Sequence, residues 1–176
     1  MNEVNHYKTL IIAEVGVNHN GDMNIAKTLI KEAANAGADI VKFQSFDAGS
    51  LVTADAPKAD YQKDSKQNDS NYDMLKKLEL TRNDHIELID ECKNHNIEFL
   101  STAFDSDNLD FLLKLNMNRI KIPSGEITNL PFLKRISSID LPVILSTGMA
   151  DLEEVKEDVD ILLSNKLSKS NLSILH

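Results

Sequence analysis

The sequence predicts an α/β protein in which strands and helices alternate. Three observations favour this class. Short apolar runs recur between stretches of helical periodicity, the first five of these runs end in polar clusters, and 41% of the 176 residues are apolar while 27% are charged. This composition is typical of a globular protein, and the length suffices for one domain with a sizeable core. Alternating strand and helix units imply a parallel sheet covered by helices.

The first unit has the arrangement strand, helix, strand. Residues 10–17 form a nearly continuous apolar run, as expected for a strand that is buried on both faces. Asp22 is placed to cap a helix whose apolar residues recur at helical spacing until Gly37 ends it. Residues 39–45 predict a second strand, in which Lys42 and Gln44 alternate with apolar positions.

The alternation continues after one irregular stretch. Residues 46–71 show no clean period, and a connection of this kind is usually disordered or a functional lid. Helices are predicted at residues 72–80, 83–94, 107–115, 129–136 and 151–164, and strands at 98–103, 120–122, 142–146 and 172–176.

Each of the first five predicted strands delivers polar side chains at its carboxyl end, where ligands bind in parallel α/β folds. These side chains are Glu14, Lys42 with Gln44, Thr102, Lys121 with Ser124 and Glu126, and Ser146 with Thr147. An open doubly wound sheet needs ligand residues from only a few strands, whereas a ring of polar ends fits a central pocket. The pattern therefore favours a (β/α)8 TIM barrel. Because a whole barrel takes about 250 residues, this chain would supply roughly five and a half of its βα units.

Single residues leave alternatives open. Glu14 interrupts an apolar strand, so it must be paired, metal-bound or in a wet pocket, and a functional role is favoured over a structural ion pair. Lys42 is expected to face the barrel interior, where it would bind an anion or form a Schiff base. The alternative is a lysine that snorkels at a sheet edge. Thr102 and Ser146, taken alone, are also common turn formers.

Residues 121–126 give a stronger signal, because Lys121, Ser124 and Glu126 combine a cation, a hydroxyl and a carboxylate. This inventory suits a small acid with phosphate or carboxylate groups. The nucleotide-binding patterns G-x-G-x-x-G and G-x-x-x-x-G-K are absent from the sequence. A formal net charge of −9 argues against a general nucleic-acid binder.

The remaining features predict a cytoplasmic protein. Cys92 is the only cysteine, so an intrachain disulfide is impossible and a reducing compartment fits best. The first eight residues are polar and do not resemble a signal peptide. No apolar run approaches the length of a membrane span.

Five motifs, taken in order, resemble the sialic acid synthase family, and in particular its bacterial N-acetylneuraminate synthases. They lie at residues 12–22, 36–44, 101–105, 121–126 and 145–149, and residues 56–62 and 74–80 extend the similarity. The resemblance implies a TIM barrel that condenses phosphoenolpyruvate with N-acetylmannosamine and water. The products are N-acetylneuraminate and inorganic phosphate.

The resemblance also implies roles for single residues. The positions that match the family's phosphoenolpyruvate pocket are Lys42, Thr102, Lys121, Ser124 and Ser146. Glu126 matches a carboxylate that acts in acid/base steps or handles the attacking water, and Glu14 and Gln44 match residues near the sugar and the metal. Glu126 and Glu14 are thus the expected catalytic residues, and Asn68 is expected to reach the sugar.

The family further implies a divalent metal, Mn or Mg, held by histidines on later barrel strands, and a homodimer with a C-terminal antifreeze-like domain. Residues 1–176 would then be the N-terminal portion of the catalytic barrel, with the metal ligands outside this chain, and would neither bind the metal nor turn over alone. Three alternatives stay open: a sister enzyme that makes legionaminic or pseudaminic acid, a Schiff-base aldolase that uses Lys42 or Lys121, and a non-catalytic barrel fragment.

Overall fold

A computed structural model describes residues 9–53 and 70–176, and in these ranges one sheet of six parallel strands forms the centre of the molecule. The strands are β1 (Ile12–Gly16), β2 (Ile40–Ser45), β3 (Glu98–Ala103), β4 (Ile120–Ile122), β5 (Val143–Ser146) and β6 (Leu172–Leu175). Each strand pairs with the next one in the chain. An open doubly wound sheet reverses its strand order at a switch point, whereas this uninterrupted order is that of a barrel wall. The predicted barrel class is confirmed for the described part of the chain.

Helices cover the outside of the sheet. They are α1 (Met23–Asn35), α2 (Ala48–Leu51), α3 (Asn71–Leu78), α4 (Arg82–Asn94), α5 (Ser106–Lys114), α6 (Leu130–Ser137) and α7 (Leu152–Leu162), with short 3-10 helices at Ser124–Glu126 and Lys169–Asn171. Asp22 caps α1 as predicted, since its carboxylate accepts the backbone N–H of Asn24 at 2.7 Å. Asp151 and Glu154 form a capping box at the start of α7. Among the described residues, no helix has both the length and the apolar character that crossing a membrane requires.

The two faces of the sheet have different chemistry, because successive side chains of a strand point to opposite faces. Val41 and Phe43 of β2 face outward and are fully buried, and the Phe43 ring stacks on that of Phe99 in β3 with centroids 5.6 Å apart. Lys42 and Gln44, which alternate with them, face inward and keep part of their surface exposed. The apolar core therefore lies between the sheet and the helices, and the polar strand residues are left for the barrel interior.

The structure departs from the sequence-based expectation in details of the element ends. The stretch predicted to be irregular contains α2, which Asp47 caps and which Glu79 holds by accepting the N–H of Ala48 at 2.6 Å. Strand β1 is shorter than predicted because the backbone leaves the extended region at Gly16, where φ is +56°. Helix α5 begins before Asp107, since Asp105 serves as its N-cap.

Candidate functional site

The polar side chains singled out in the sequence meet at the carboxyl ends of the strands. Residues that pair between neighbouring parallel strands lie side by side on one face, and Glu14 pairs with Lys42, Gln44 with Thr102, and Thr102 with Lys121. The inward-facing residues of four strands therefore form a continuous row. This row is the part of the predicted ring of polar side chains that strands β1 to β4 contribute.

Lys42 connects the first three strands. Its ammonium group forms an ion pair with the carboxylate of Glu14 on β1, and its Nζ donates a hydrogen bond to Thr102 Oγ1 on β3 at 3.2 Å. The Lys42 side chain is only 12% exposed, while that of Glu14 is 48% exposed. Glu14 is thus paired with a lysine and partly exposed to solvent, which explains how an apolar strand accommodates a carboxylate.

Lys121 is the more deeply buried cation, with 6% of its surface exposed. Its Nζ donates to the backbone carbonyl of Ile122 and to Ser146 Oγ, both at 2.6 Å. Burial, together with the nearby ammonium of Lys42, lowers the pKa of Lys121 to about 8, while Glu14 acts in the opposite direction. A buried ammonium group is thereby held by two neutral oxygen atoms, with no carboxylate in direct contact among the described residues.

Glycines allow the backbone to approach the predicted ligand residues. A Cβ atom on Gly16 would stand 3.1 Å from Glu14 Oε1 and 3.5 Å from Gln44 Nε2. On Gly148 it would stand 3.2 Å from Ser124 Oγ. These contacts place Gln44 beside Glu14, and Ser124 beside the turn that follows β5. Sequence reasoning assigned no role to either glycine, although Gly16 is the last residue of β1 and Gly148 lies two residues after β5, which is a usable signal.

Glu126 lies at the end of the 3-10 helix Ser124–Glu126 and is half-buried. Its Oε2 accepts a hydrogen bond from Asn129 Nδ2 at 2.6 Å. Among the described residues, this bond orients Glu126 and neither lysine is its partner. The catalytic role predicted for Glu126 stays a prediction, as does that of Glu14. Asn68 lies outside the described residues.

The side chains brought together suit an anion better than a metal ion. Within residues 9–53 and 70–176, no group of three or more His, Cys, Asp or Glu side chains is placed to hold a metal. The two candidate carboxylates already have partners, since Glu14 pairs with Lys42 and Glu126 accepts from Asn129. The described residues therefore do not fit a divalent cation by themselves, and the expected Mn or Mg stays a prediction. Two lysines facing one carboxylate and several hydroxyls instead leave a local positive charge that attracts phosphate or carboxylate groups.

Comparison with known proteins identifies the lineage of this fold and pocket. A family model described as the NeuB family matches residues 29–176. The chain belongs to the NeuB family. The match includes every predicted site residue from Lys42 to Ser146, while Glu14 lies ahead of its first matched position.

Two similar proteins are named as synthases of N,N'-diacetyllegionaminic acid. The chain is 52% identical over 170 residues to the N,N'-diacetyllegionaminic acid synthase of Campylobacter jejuni, covering 96% of this chain and 51% of that protein. It is 49% identical to the N,N'-diacetyllegionaminic acid synthase of Legionella pneumophila, over 94% of this chain and 48% of that protein. The chain thus spans about half the length of these curated relatives.

A solved structure supports the barrel assignment. The N-acetylneuraminic acid synthetase of Leptospira borgpetersenii, crystallised with citrate, superimposes with a TM-score of 0.80 at 30% identity. The alignment covers 96% of this chain and 54% of that one. The expectation that the chain is built like a sialic acid synthase barrel is therefore confirmed.

Proposed function

We propose that the full-length protein is a sialic-acid-type synthase that condenses phosphoenolpyruvate with a 2,4-diacetamido sugar, as in N,N'-diacetyllegionaminic acid synthesis. The observation that carries the proposal is the row of Lys42, Thr102, Lys121 and Ser146, which brings two ammonium groups and two hydroxyls together. Phosphoenolpyruvate has a phosphate and a carboxylate attached to the same carbon, so two neighbouring cations match it. Membership of the NeuB family supports the reaction class.

The choice of acceptor departs from the N-acetylmannosamine expected from the sequence. Both legionaminic acid synthases share 49% or more of their aligned residues with this chain, whereas the N-acetylneuraminic acid synthetase of known structure shares 30%. This difference favours the alternative sister enzyme over a neuraminate synthase. N-acetylneuraminate synthesis stays the second candidate because the barrel geometry is common to both.

The residues of this chain would bind and orient the enol substrate. Lys121 and Lys42 offset its phosphate and carboxylate charge, and the hydroxyls of Thr102, Ser124 and Ser146 supply further hydrogen bonds. Fixed cations lower the cost of the negative charge that collects on the departing phosphate. Glu14 on β1 and Gln44 on β2 are assigned to the acceptor sugar, because they match family residues near the sugar.

In the proposed reaction the enol π electrons of phosphoenolpyruvate form a carbon–carbon bond to the sugar aldehyde, whose oxygen takes a proton. The substrate carbon that bears phosphate becomes cationic. Water bonds to that carbon and gives its proton to a base, for which Glu126 is placed next to Ser124. The bond between this carbon and the phosphate oxygen then breaks, and phosphate leaves with the electron pair. The new hydroxyl group gives its proton to the departing phosphate and becomes the carbonyl group of the keto acid, while the proton held by the base replaces the one taken up by the aldehyde oxygen.

The test is an acceptor comparison with the full-length protein. We expect phosphate release from phosphoenolpyruvate to depend on an added sugar and to be faster with a 2,4-diacetamido sugar than with N-acetylmannosamine. The reverse preference would establish the neuraminate candidate. Borohydride with pyruvate should leave the protein mass unchanged, because a covalent adduct on Lys42 or Lys121 would indicate the Schiff-base aldolase instead. Absence of phosphate release with every sugar would overturn the proposal.

A further inference from the structure

A buried polar cluster lies directly behind the candidate site, on the outer face of the sheet. It consists of Ser45 on β2, Ser101 on β3 and His85 on α4, all with 2% exposure or less. Ser45 Oγ is 2.6 Å from His85 Nε2 and 2.6 Å from Ser101 Oγ. The other ring nitrogen, Nδ1, is 2.7 Å from the carbonyl oxygen of Thr81. We call these three side chains the His85 cluster.

The hydrogen bonds of the His85 cluster have one direction. The Thr81 carbonyl can only accept, so His85 Nδ1 carries the proton and donates to it. In the neutral ring Nε2 is then an acceptor, and the Ser45 hydroxyl donates to it. Ser45 Oγ in turn accepts the hydroxyl proton of Ser101. Burial lowers the pKa of His85, which keeps the ring neutral and this direction intact near pH 7.

The imidazole ring of His85 is itself fixed. The rings of Phe111 and Phe99 meet it edge-on, with centroids 5.1 Å and 6.3 Å away. Thr81, whose carbonyl receives the Nδ1 proton, is the N-cap of α4 and forms a capping box with Asp84. The first turn of α4 therefore presents the histidine to the sheet as a rigid group rather than as a mobile side chain.

The strand positions of the His85 cluster connect it to the pocket. Ser45 follows Gln44 and Ser101 precedes Thr102, and alternation along a strand sends these neighbours to opposite faces. Gln44 and Thr102 are register partners across β2 and β3. Thr102 also receives the hydrogen bond of Lys42. If the end of β2 moved along β3, the pairing of Gln44 with Thr102 and the hydrogen bond from Lys42 to Thr102 would both change.

The His85 cluster is polar, whereas the neighbouring outward positions of the sheet are apolar. The outward positions of β2 next to it are Val41 and Phe43, and apolar packing there needs no hydrogen bonds. Burying three polar side chains costs free energy unless all are satisfied, and a satisfied network then fixes one arrangement in preference to shifted ones. Apolar residues would fill the same space but would not select the relative height of two strands.

We propose that His85 is a positioning residue, which acts through Ser45 and Ser101 to hold the ends of β2 and β3 at the height where Gln44 and Thr102 face the ligand pocket. The identity of the ligand rests on the proposed function. The positioning itself rests only on the contacts described above.

Two substitutions of His85, by Asn and by Gln, distinguish a positioning role from a role in which the side chain only fills space. In His85→Asn the side-chain amide coincides with Nδ1, so the bond to Thr81 survives and the bond to Ser45 is lost. In His85→Gln the amide oxygen coincides with Nε2 and can still accept from Ser45. His95→Gln is the matched control, because His95 caps the other end of the same helix and bonds Glu91 there. Ser137→Ala is a second control, since it removes a buried hydroxyl whose bond stays within α6.

The primary measurement is the NMR spectrum of the Gln44 side-chain amide and the Thr102 methyl group. We expect both signals to shift in His85→Asn and in Ser45→Ala, and to stay near wild type in His85→Gln, His95→Gln and Ser137→Ala. Calorimetric titration of the full-length protein with phosphoenolpyruvate should give a dissociation constant about tenfold weaker for His85→Asn, the value of one lost hydrogen bond. Urea unfolding of all variants separates lost stability from lost positioning.

Two results would overturn the positioning role. One is unshifted Gln44 and Thr102 signals in folded His85→Asn. The other is a response of His85→Gln equal to that of His85→Asn, which would mean that the link to Ser45 is immaterial. If wild type does not bind phosphoenolpyruvate at all, the proposed function fails, while the NMR comparison still decides the positioning role.

Discussion

Two cations lie at the short strand β4, and their surroundings differ: Arg119 directly precedes the strand, and Lys121 lies within it. At the amino end, Arg119 makes two hydrogen bonds to the carboxylate of Glu98, at 2.7 and 2.9 Å. Toward the carboxyl end, Lys121 contacts a carbonyl and a hydroxyl and faces another lysine. The charge of Arg119 is neutralised by a carboxylate, whereas that of Lys121 meets only neutral oxygen atoms among the contacts described.

This difference assigns stability to one end of the barrel wall and binding to the other, as is general for parallel barrels. A bidentate arginine–carboxylate pair connects two neighbouring segments, and each of its charges is compensated by the other. Lys121 instead donates only to neutral oxygen atoms among the contacts described, and under the proposed function an incoming anion supplies its counter-charge. Each prediction below changes either the Arg119–Glu98 pair or Lys121 and its surroundings.

The largest effect is expected from Lys121→Met in the full-length protein. Loss of a buried charge-assisted contact should lower kcat/KM for phosphoenolpyruvate about 100-fold, while the free energy of unfolding stays the same or rises, because a desolvated charge beside Lys42 is removed. Steady-state kinetics and urea unfolding measure the two quantities. Lys134→Met, at an exposed site on α6, is the matched control. An unchanged kcat/KM would show that Lys121 is not a ligand residue.

Arg119→Met should give the opposite pattern. It leaves the half-buried carboxylate of Glu98 without its partner, so the free energy of unfolding should fall by about 2 kcal/mol. Affinity for phosphoenolpyruvate in the folded protein should change little. Chemical unfolding together with calorimetric titration checks both statements. A large loss of affinity with unchanged stability would contradict the division between the two ends.

The pH dependence of wild type sharpens the contrast, because the pKa of Lys121 is lowered from 10.5 to about 8. Between these values the unfolded chain binds more protons at this group than the folded chain, so its contribution makes the free energy of unfolding rise with pH. Affinity for phosphoenolpyruvate should fall over the same interval as Lys121 loses its charge. The difference between wild type and Lys121→Met isolates both trends, and parallel curves for the two proteins would refute the assignment.

A smaller effect is expected from Gly148→Ala. The added methyl group would meet Ser124 Oγ at 3.2 Å, which is tighter than an ordinary contact, so the hydroxyl must move. We expect KM for phosphoenolpyruvate to rise about fivefold, within the value of one hydrogen bond. Gly125→Ala provides the control, since its methyl group would meet nothing within 4 Å. Equal responses of the two variants would remove Ser124 from the pocket.

Much of the fold could be predicted from the sequence because its signals are local. Apolar runs, cap residues such as Asp22 and Asp151, and strand-end polar residues each depend on a few neighbouring positions. The short helix α2 was missed because its four residues are too few to show a period and a distant residue, Glu79, helps to hold it. The structure brings Lys42 together with Glu14 and Thr102, and Lys121 with Ser146, whereas the sequence did not show which of these predicted residues pair.

The sequence by itself determined the parallel α/β class, the strand ends and the chemical inventory that gathers there, because alternation and periodicity follow from backbone geometry. Only the tertiary structure decided that Lys42 pairs with Glu14 while Lys121 stays without a carboxylate, and that His85 reaches Ser45 across 40 residues of chain. Such contacts depend on strand register and on the burial of each group. Both are set by packing between segments that are distant in sequence.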